Sequence, residues 1–305
     1  MKVFYNPRYN IDLGVLNRLH PFDGRKFGRV AKEIAGVAGL SLVEVPAPLD
    51  QAAIERFASP LLQKLLLRKR YVLQALEVPY LPLVPLSFID RKILEPMRWG
   101  AAGTLAAAKA AMQGANCWNL AGGYHHASRT EAEGFCIYND IGISIQALRE
   151  SGDLHDLDEV LILDIDAHHG NGNARVFMDD RRIRILDIYD DDIYPRSPYT
   201  KERIDINVPL RMGTNGSQYL SRLDGGLSEL PRGARLAFVV AGTDVLASDP
   251  LGGLRLTVDD CVARDRLVLD RLAALGVPAV FTGGGGYGPE SATAMTRSLL
   301  AHAGR

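Results

Sequence analysis

A chain of 305 residues, 47% hydrophobic and 23% charged, can bury a sizeable core and has the balance of a globular enzyme. Its net charge of −1 offers no global positive field for nucleic acid, and no apolar run is long enough to span a bilayer. The cysteines Cys117, Cys136 and Cys261 are scattered and odd in number, which points to reduced thiols rather than a disulfide framework. The first residues read as a strand and not as a signal peptide, so the expected location is cytoplasmic.

Taken in order, residues 2–5 predict a first strand. A polar, turn-rich loop follows through His20-Pro21-Phe22-Asp23-Gly24-Arg25-Lys26, then a helix over 27–38 and a short strand over 42–45 closed by Pro46 and Pro48. Residues 50–77 read as mostly helical, with Arg68-Lys69-Arg70 expected on a solvated face. Three prolines in 79–85 exclude a central strand and predict an apolar surface loop that could rim an active site. An alanine-rich helix is expected over 98–112, a strand over 116–120 ending in Ala121-Gly122-Gly123-Tyr124-His125-His126-Ala127, and a helix over 141–150. Phe135 is read equally as a core aromatic or a pocket wall, and Cys136 as packing. Further strands are expected at 160–165, 183–188, 236–240 and 279–281, with helices at 258–275 and 290–302. Alternating strands and helices imply a parallel sheet covered on both faces, with the polar clusters in a crevice at its carboxyl edge.

The densest cluster is Asp164-Ile165-Asp166-Ala167-His168-His169-Gly170, closing an apolar β-branched run. An ordinary strand end would not carry two carboxylates and two imidazoles, because unpaired buried charge is costly. Asp164, Asp166 and His168 share one side of an extended backbone and His169 the other. Asp166, His168 and Asp244 together offer three ligands with an open position, the composition of a catalytic metal site. Zinc is the default, and Fe(II) would also suit carboxylate-rich ligation. His125 and His126 supply general base and acid, and Tyr287 on its four glycines supplies an O–H for a developing oxyanion. The set reads as metal-assisted hydrolysis of an amide-like bond.

These residues resemble the zinc-dependent histone deacetylase family of the arginase–deacetylase superfamily: Gly122 to Ala127, Asp164 to Gly170, Ala241-Gly242-Thr243-Asp244 with Asp249-Pro250-Leu251-Gly252, and Gly283 to Tyr287. Tyr5-Asn6-Pro7-Arg8-Tyr9-Asn10-Ile11, Gly134-Phe135-Cys136, Gly170-Asn171-Gly172-Asn173 and Ile193-Tyr194-Pro195 look like its class IV branch. The resemblance implies a single catalytic domain over 1–305 with the α/β fold of that superfamily, a three-layer αβα sandwich on a mainly parallel sheet. It implies Asp166, His168 and Asp244 as zinc ligands, His126 as general base–acid with His125 assisting, and Tyr287 at the transition state. It implies that Asp164 orients His125 and lines a potassium site with Asp166, His168, Asp187 and Ile188, although many relatives have a hydroxyl at the place of Asp187. Gly134, Phe135 and Tyr194 match walls of an acyl-lysine channel. Many relatives have an aspartate where Asn171 stands, and an amide is a weaker partner for His126. Lys26 falls where many relatives place an arginine near an internal cavity.

The implied reaction is removal of acyl groups from N-ε-acyl-lysine in a protein or peptide, long fatty acyl chains included. The alternatives are deacetylation of small amines such as acetylpolyamines, for which no entrance-constricting insertion is visible, and a non-catalytic acyl-lysine binder. A binuclear ureohydrolase is disfavoured because Gly170 and Leu246 stand where second-metal carboxylates would be required.

Overall fold

The computed structural model describes residues 1–14 and 21–303; His20, expected in the first loop, lies outside the described residues. Eight strands form one sheet: β1 (Lys2–Tyr5), β2 (Ser41–Glu44), β3 (Cys117–Asn119), β4 (Val160–Asp164), β5 (Ile183–Asp190), β6 (Ile206–Leu210), β7 (Leu236–Val240) and β8 (Ala279–Thr282). Their spatial order is β2-β1-β3-β8-β7-β4-β5-β6, and every pairing is parallel. β4 and β7 are buried at every position, so both read as continuous apolar runs, the pattern of strands covered on both faces. Fully burying each Val, Leu or Ile of β4 is worth about 1.5–3 kcal/mol. Helices flank the sheet, and no helix among the described residues is long and apolar enough to cross a membrane.

The register brings the chemistry together. Asp164 at the end of β4 stands beside Asp187 on β5 and Val240 on β7, and Asn119 on β3 stands beside Thr282 on β8. The loops leaving β3, β4, β7 and β8 therefore emerge side by side at the carboxyl edge. A second apolar cluster lies against this edge, built from Ile54, Phe57, Leu62, Val72, Leu73 and their neighbours, in the helices before Glu95–Ala111.

Several expectations need correction. The first helix is Lys26–Ile34 and ends before Gly36, whose left-handed backbone stops it short of residue 38. Strand β5 continues to Asp190 because β6 pairs with it through Leu210. Strand β6 and the helix Gly216–Ser228 were not legible in sequence: Pro209 sits in β6, tolerated at the sheet edge, and Gly225-Gly226 dilutes the helix signature. Lys69 is not merely solvated: its ammonium donates to the carbonyls of Leu81, Pro82 and Val84 and lies over the Tyr80 ring. It thereby ties down the 79–85 loop.

Candidate active site

The turn after β4 folds back so that its side chains point inward. Asp166, His168 and Asp244 are buried, and one donor atom from each lies within 4.8 Å of the others. Two carboxylates and one imidazole converging at this distance are a donor set for a divalent cation. Electrostatics agree: burial and the charge of Asp166 raise Asp244 to about 7. Burial alone would lower His168, but its bonds to Asp166 and Asp244 hold it far above its ordinary range. The two carboxylates thus form an electronegative pair that favours positive charge beside it. Glycines leave the room, since a Cβ at Gly242 would stand 1.9 Å from Asp166 Oδ2 and one at Gly285 2.1 Å from Asp244 Oδ2. Gly285 N–H donates to Asp166 Oδ2 at 2.7 Å, and Ala167 N–H to Asp244 Oδ1 at 2.9 Å.

His125 and His126 leave the end of β3. Gly123 and Tyr124 donate their N–H groups to Asp140 at the start of helix Asp140–Ser151, which clamps the loop. His125 Nδ1 lies 2.8 Å from Asp164 Oδ2, and its Nε2 3.8 Å from Asp166 Oδ1. Burial opposes its charge, but the carboxylates of Asp164 and Asp166 prevail and raise it to about 9. His126 Nδ1 lies 2.7 Å from Asn171 Oδ1; burial and then the neighbouring His125 and His168 push it well below its ordinary value. His169 does not line the pocket, and its ring bonds Asp187 at 2.6 Å and Thr200 at 2.8 Å.

Tyr287 is aimed by Asp249, whose Oδ2 accepts from the N–H of Tyr287 at 2.7 Å and of Gly288 at 2.9 Å. Burial and then the charges of Asp244 and Asp166 hold the phenol far above its usual range, so it is an O–H donor at neutral pH. Tyr287, Phe135, Gly134, His125 and His126 line one pocket. Phe135 is therefore a pocket wall, its ring 4.9 Å from Phe22. Gly134 at φ +57° and Phe135 at φ +59° make a left-handed pair, and a Cβ at Gly134 would meet His126 Cδ2 at 2.4 Å. Tyr194 is 41% exposed and packs its ring 5.2 Å from that of His126, outside the pocket lining. Cys136 is buried and its thiol pushed up by burial, which suits packing and not nucleophilic attack.

The same pocket is also lined by Ile11, Phe22, Phe27, Pro96 and Met97. Residues 79–85 do not line it, which corrects the expectation that their apolar loop rims the site. Lys26 is buried beside Phe22 and Phe27 and donates to Gly286 O at 3.1 Å, bracing the glycine loop.

Asp187 is buried, and its Oδ1 has no hydrogen-bond partner among the described residues. A buried carboxylate oxygen without a donor suits a cation, and Asp187 stands in register with Asp164. Three supporting residues escaped the sequence reading: Asp140, Glu133 and Arg264. Arg264 is buried and donates to the carbonyls of Ile165 and Gly242 at 3.1 and 2.6 Å, joining the β4 and β7 turns. Its only sequence signal is a charge on the inner face of helix Val258–Leu275.

A model of the histone deacetylase domain matches residues 77–303. The chain is 33% identical over 307 residues to histone deacetylase 2 of Arabidopsis thaliana, covering 98% of this chain and 78% of that one. It is 32% identical over 220 residues to an acetylpolyamine amidohydrolase of Burkholderia pseudomallei, covering 66% and 60% of the two chains. Among solved structures, the HDA15 HD domain superimposes with a TM-score of 0.74 at 19% identity, over 100% of this chain and 92% of that one.

Proposed function

The chain belongs to the histone deacetylase domain family, and from that premise we propose that residues 1–305 form one catalytic domain that hydrolyses the amide of N-ε-acyl-lysine in proteins or peptides. In this reading it is a class IV-like, zinc-dependent lysine deacylase, working in the reducing cytoplasm that its three free, buried cysteines suit. The observation that carries it is the convergence of Asp166, His168 and Asp244 beside a pocket lined by His125, His126 and Tyr287. Asp166, His168 and Asp244 would hold the zinc ion, with Fe(II) as the substitute the same donors accept. Asp164, Asp187 and the backbone of Asp166, His168 and Ile188 would hold potassium. When bound, zinc supplies Lewis acidity that polarises the acyl carbonyl and strengthens water as an acid.

The chain's own groups do the rest. His126, the less basic ring, takes the proton of the attacking water at Nε2. His125, held by Asp164, keeps positive charge beside the developing oxyanion, and Tyr287 donates its O–H to it. His126 then returns the proton to the departing lysine amine. The apolar side chains of Ile11, Phe22, Phe27, Pro96 and Met97 in the pocket lining suit an acyl chain, and the defatty-acylase reading rests on them. A second reading, deacetylation of small acetylated amines, is favoured by the acetylpolyamine amidohydrolase among the relatives.

The test is kcat/KM of the zinc-loaded protein on one lysine peptide carrying acetyl or myristoyl, and on an acetylated polyamine. Myristoyl preference is expected. Turnover of the polyamine alone would move the assignment to the second reading. Asp244→Ala should bind no stoichiometric zinc and turn over none of the three; normal zinc content in that variant would sink the ligand assignment.

A further inference from the structure

Asn171 raises a question that its partners answer. A side-chain amide has two near-isosteric orientations, and only one serves His126. With Oδ1 toward His126, the ring must carry its proton on Nδ1, which leaves Nε2 as the acceptor. With the amide turned, Nδ2–H faces the ring and the proton moves to Nε2, where it blocks proton abstraction. An aspartate would not face this choice, because both of its oxygens accept. Something must hold Asn171 in one orientation.

Glu133 is placed to do so. Asn171 is fully buried, and its Nδ2 donates to Glu133 Oε1 at 2.8 Å while its Oδ1 faces His126 Nδ1 at 2.7 Å. A flipped amide would keep a bond to the ring through the other tautomer, but would set its carbonyl oxygen against the carboxylate and lose the bond to Glu133. The carboxylate is itself fixed: Arg175 donates to Oε1 and the Tyr194 hydroxyl to Oε2 at 2.9 Å, while Glu131 also pairs with Arg175 at 2.8 Å. The backbone fixes it too. Glu133 and Cys136 exchange N–H···O bonds of 3.2 and 2.9 Å across the left-handed pair Gly134-Phe135, the same turn whose missing Cβ lets it press on His126.

We propose that Glu133 is a positioning residue: through Asn171 it sets the Nδ1–H tautomer of His126, replacing the orientation-free carboxylate that Asn171 lacks. It also links that setting to Tyr194, whose ring packs beside His126. The proposal rests on His126 acting as the base, but the tautomer can be read without turnover.

The experiment is two-bond ¹H–¹⁵N correlation of the histidine rings in the zinc-loaded full chain, with kcat and KM measured in parallel. The wild type should show His126 protonated on Nδ1 alone. Glu133→Met, which fills the space without an acceptor, should show mixed tautomers and a kcat lowered by roughly 10-fold or more with KM nearly unchanged, the usual scale for an outer partner. Glu133→Ala gives the same reading should the Met variant misfold. Glu133→Gln keeps an acceptor oxygen and should keep the wild-type tautomer. Adding Asn171→Asp to Glu133→Met should restore the single tautomer and most of kcat, whereas Asn171→Asp alone sets two carboxylates together and should not improve on wild type. A pure Nδ1–H ring in Glu133→Met, or no restoration in the double variant, overturns the proposal. Restored tautomer without turnover in any variant would leave it standing and count against the deacylase reading.

Discussion

His125 and His126 are chain neighbours with rings 4.1 Å apart, yet they occupy opposite electrostatic settings. His125 is backed by a carboxylate and raised to about 9, despite burial that works against it. His126 is backed by an amide, and burial together with its histidine neighbours drives it down. The carboxylates beside one ring thus favour its protonated form, and the surroundings of the other favour its neutral form. Pairs of titratable groups pushed apart in this way divide the labour of acid–base chemistry. The difference arises in what surrounds each ring: Asp164 and Asp166 raise His125, whereas burial and the neighbouring His125 and His168 outweigh the Asn171 bond and lower His126.

The largest effect should come from removing the neutral ring. His126→Ala should lower kcat by roughly 10²–10⁴-fold, the range for a general base, with zinc content unchanged. His125→Ala should cost less, since it removes a charge and not the proton carrier. Equal losses in kcat would erase the distinction between the two halves. Next, Asp164→Asn makes both halves amide-backed; kcat should fall by roughly 10–100-fold, as for other outer partners, and unchanged turnover would show that the carboxylate behind His125 does not matter.

The smallest effect concerns Lys26, a buried cation outside the pair. Burial lowers it from an ordinary 10.5 to about 8, with Asp244 the largest opposing charge. Below pH 8 the folded chain carries a buried ammonium, and above 10.5 neither state is charged. Between those limits the unfolded chain binds more protons, so stability rises with pH. Denaturant titrations should show wild type gaining on Lys26→Met from pH 8 to 10.5; a flat or falling difference would mean that Lys26 is not held against its charge.

The residues that come together at the candidate site were legible because each follows a strand in a cluster of unusual types. Asp166 and His168 could be paired from alternation alone, and Asp244, Tyr287 and the tandem histidines from the glycine turns around them. Asp140, Glu133 and Arg264 were not legible. Asp140 and Arg264 read as ordinary helix charges and Glu133 as a loop acid, and each acts on a backbone or side chain distant in sequence. The 79–85 loop misled because apolar composition does not say which surface a loop covers; Lys69 decides that by binding its carbonyls.

The sequence by itself determined the parallel sheet, the order of most elements and which residues would converge at the candidate site, because buried strands must be apolar and cannot carry charge without a purpose. Only the tertiary structure decided which groups became partners. The register that sets Asp164 beside Asp187, the turn that sets Glu133 behind Asn171, and the apolar lining at Ile11 and Met97 all join residues from separate parts of the chain. Such pairings are fixed by how β4 lies beside β5 and how the surrounding loops and helices pack on the sheet, and side-chain periodicity reports only a residue's own element.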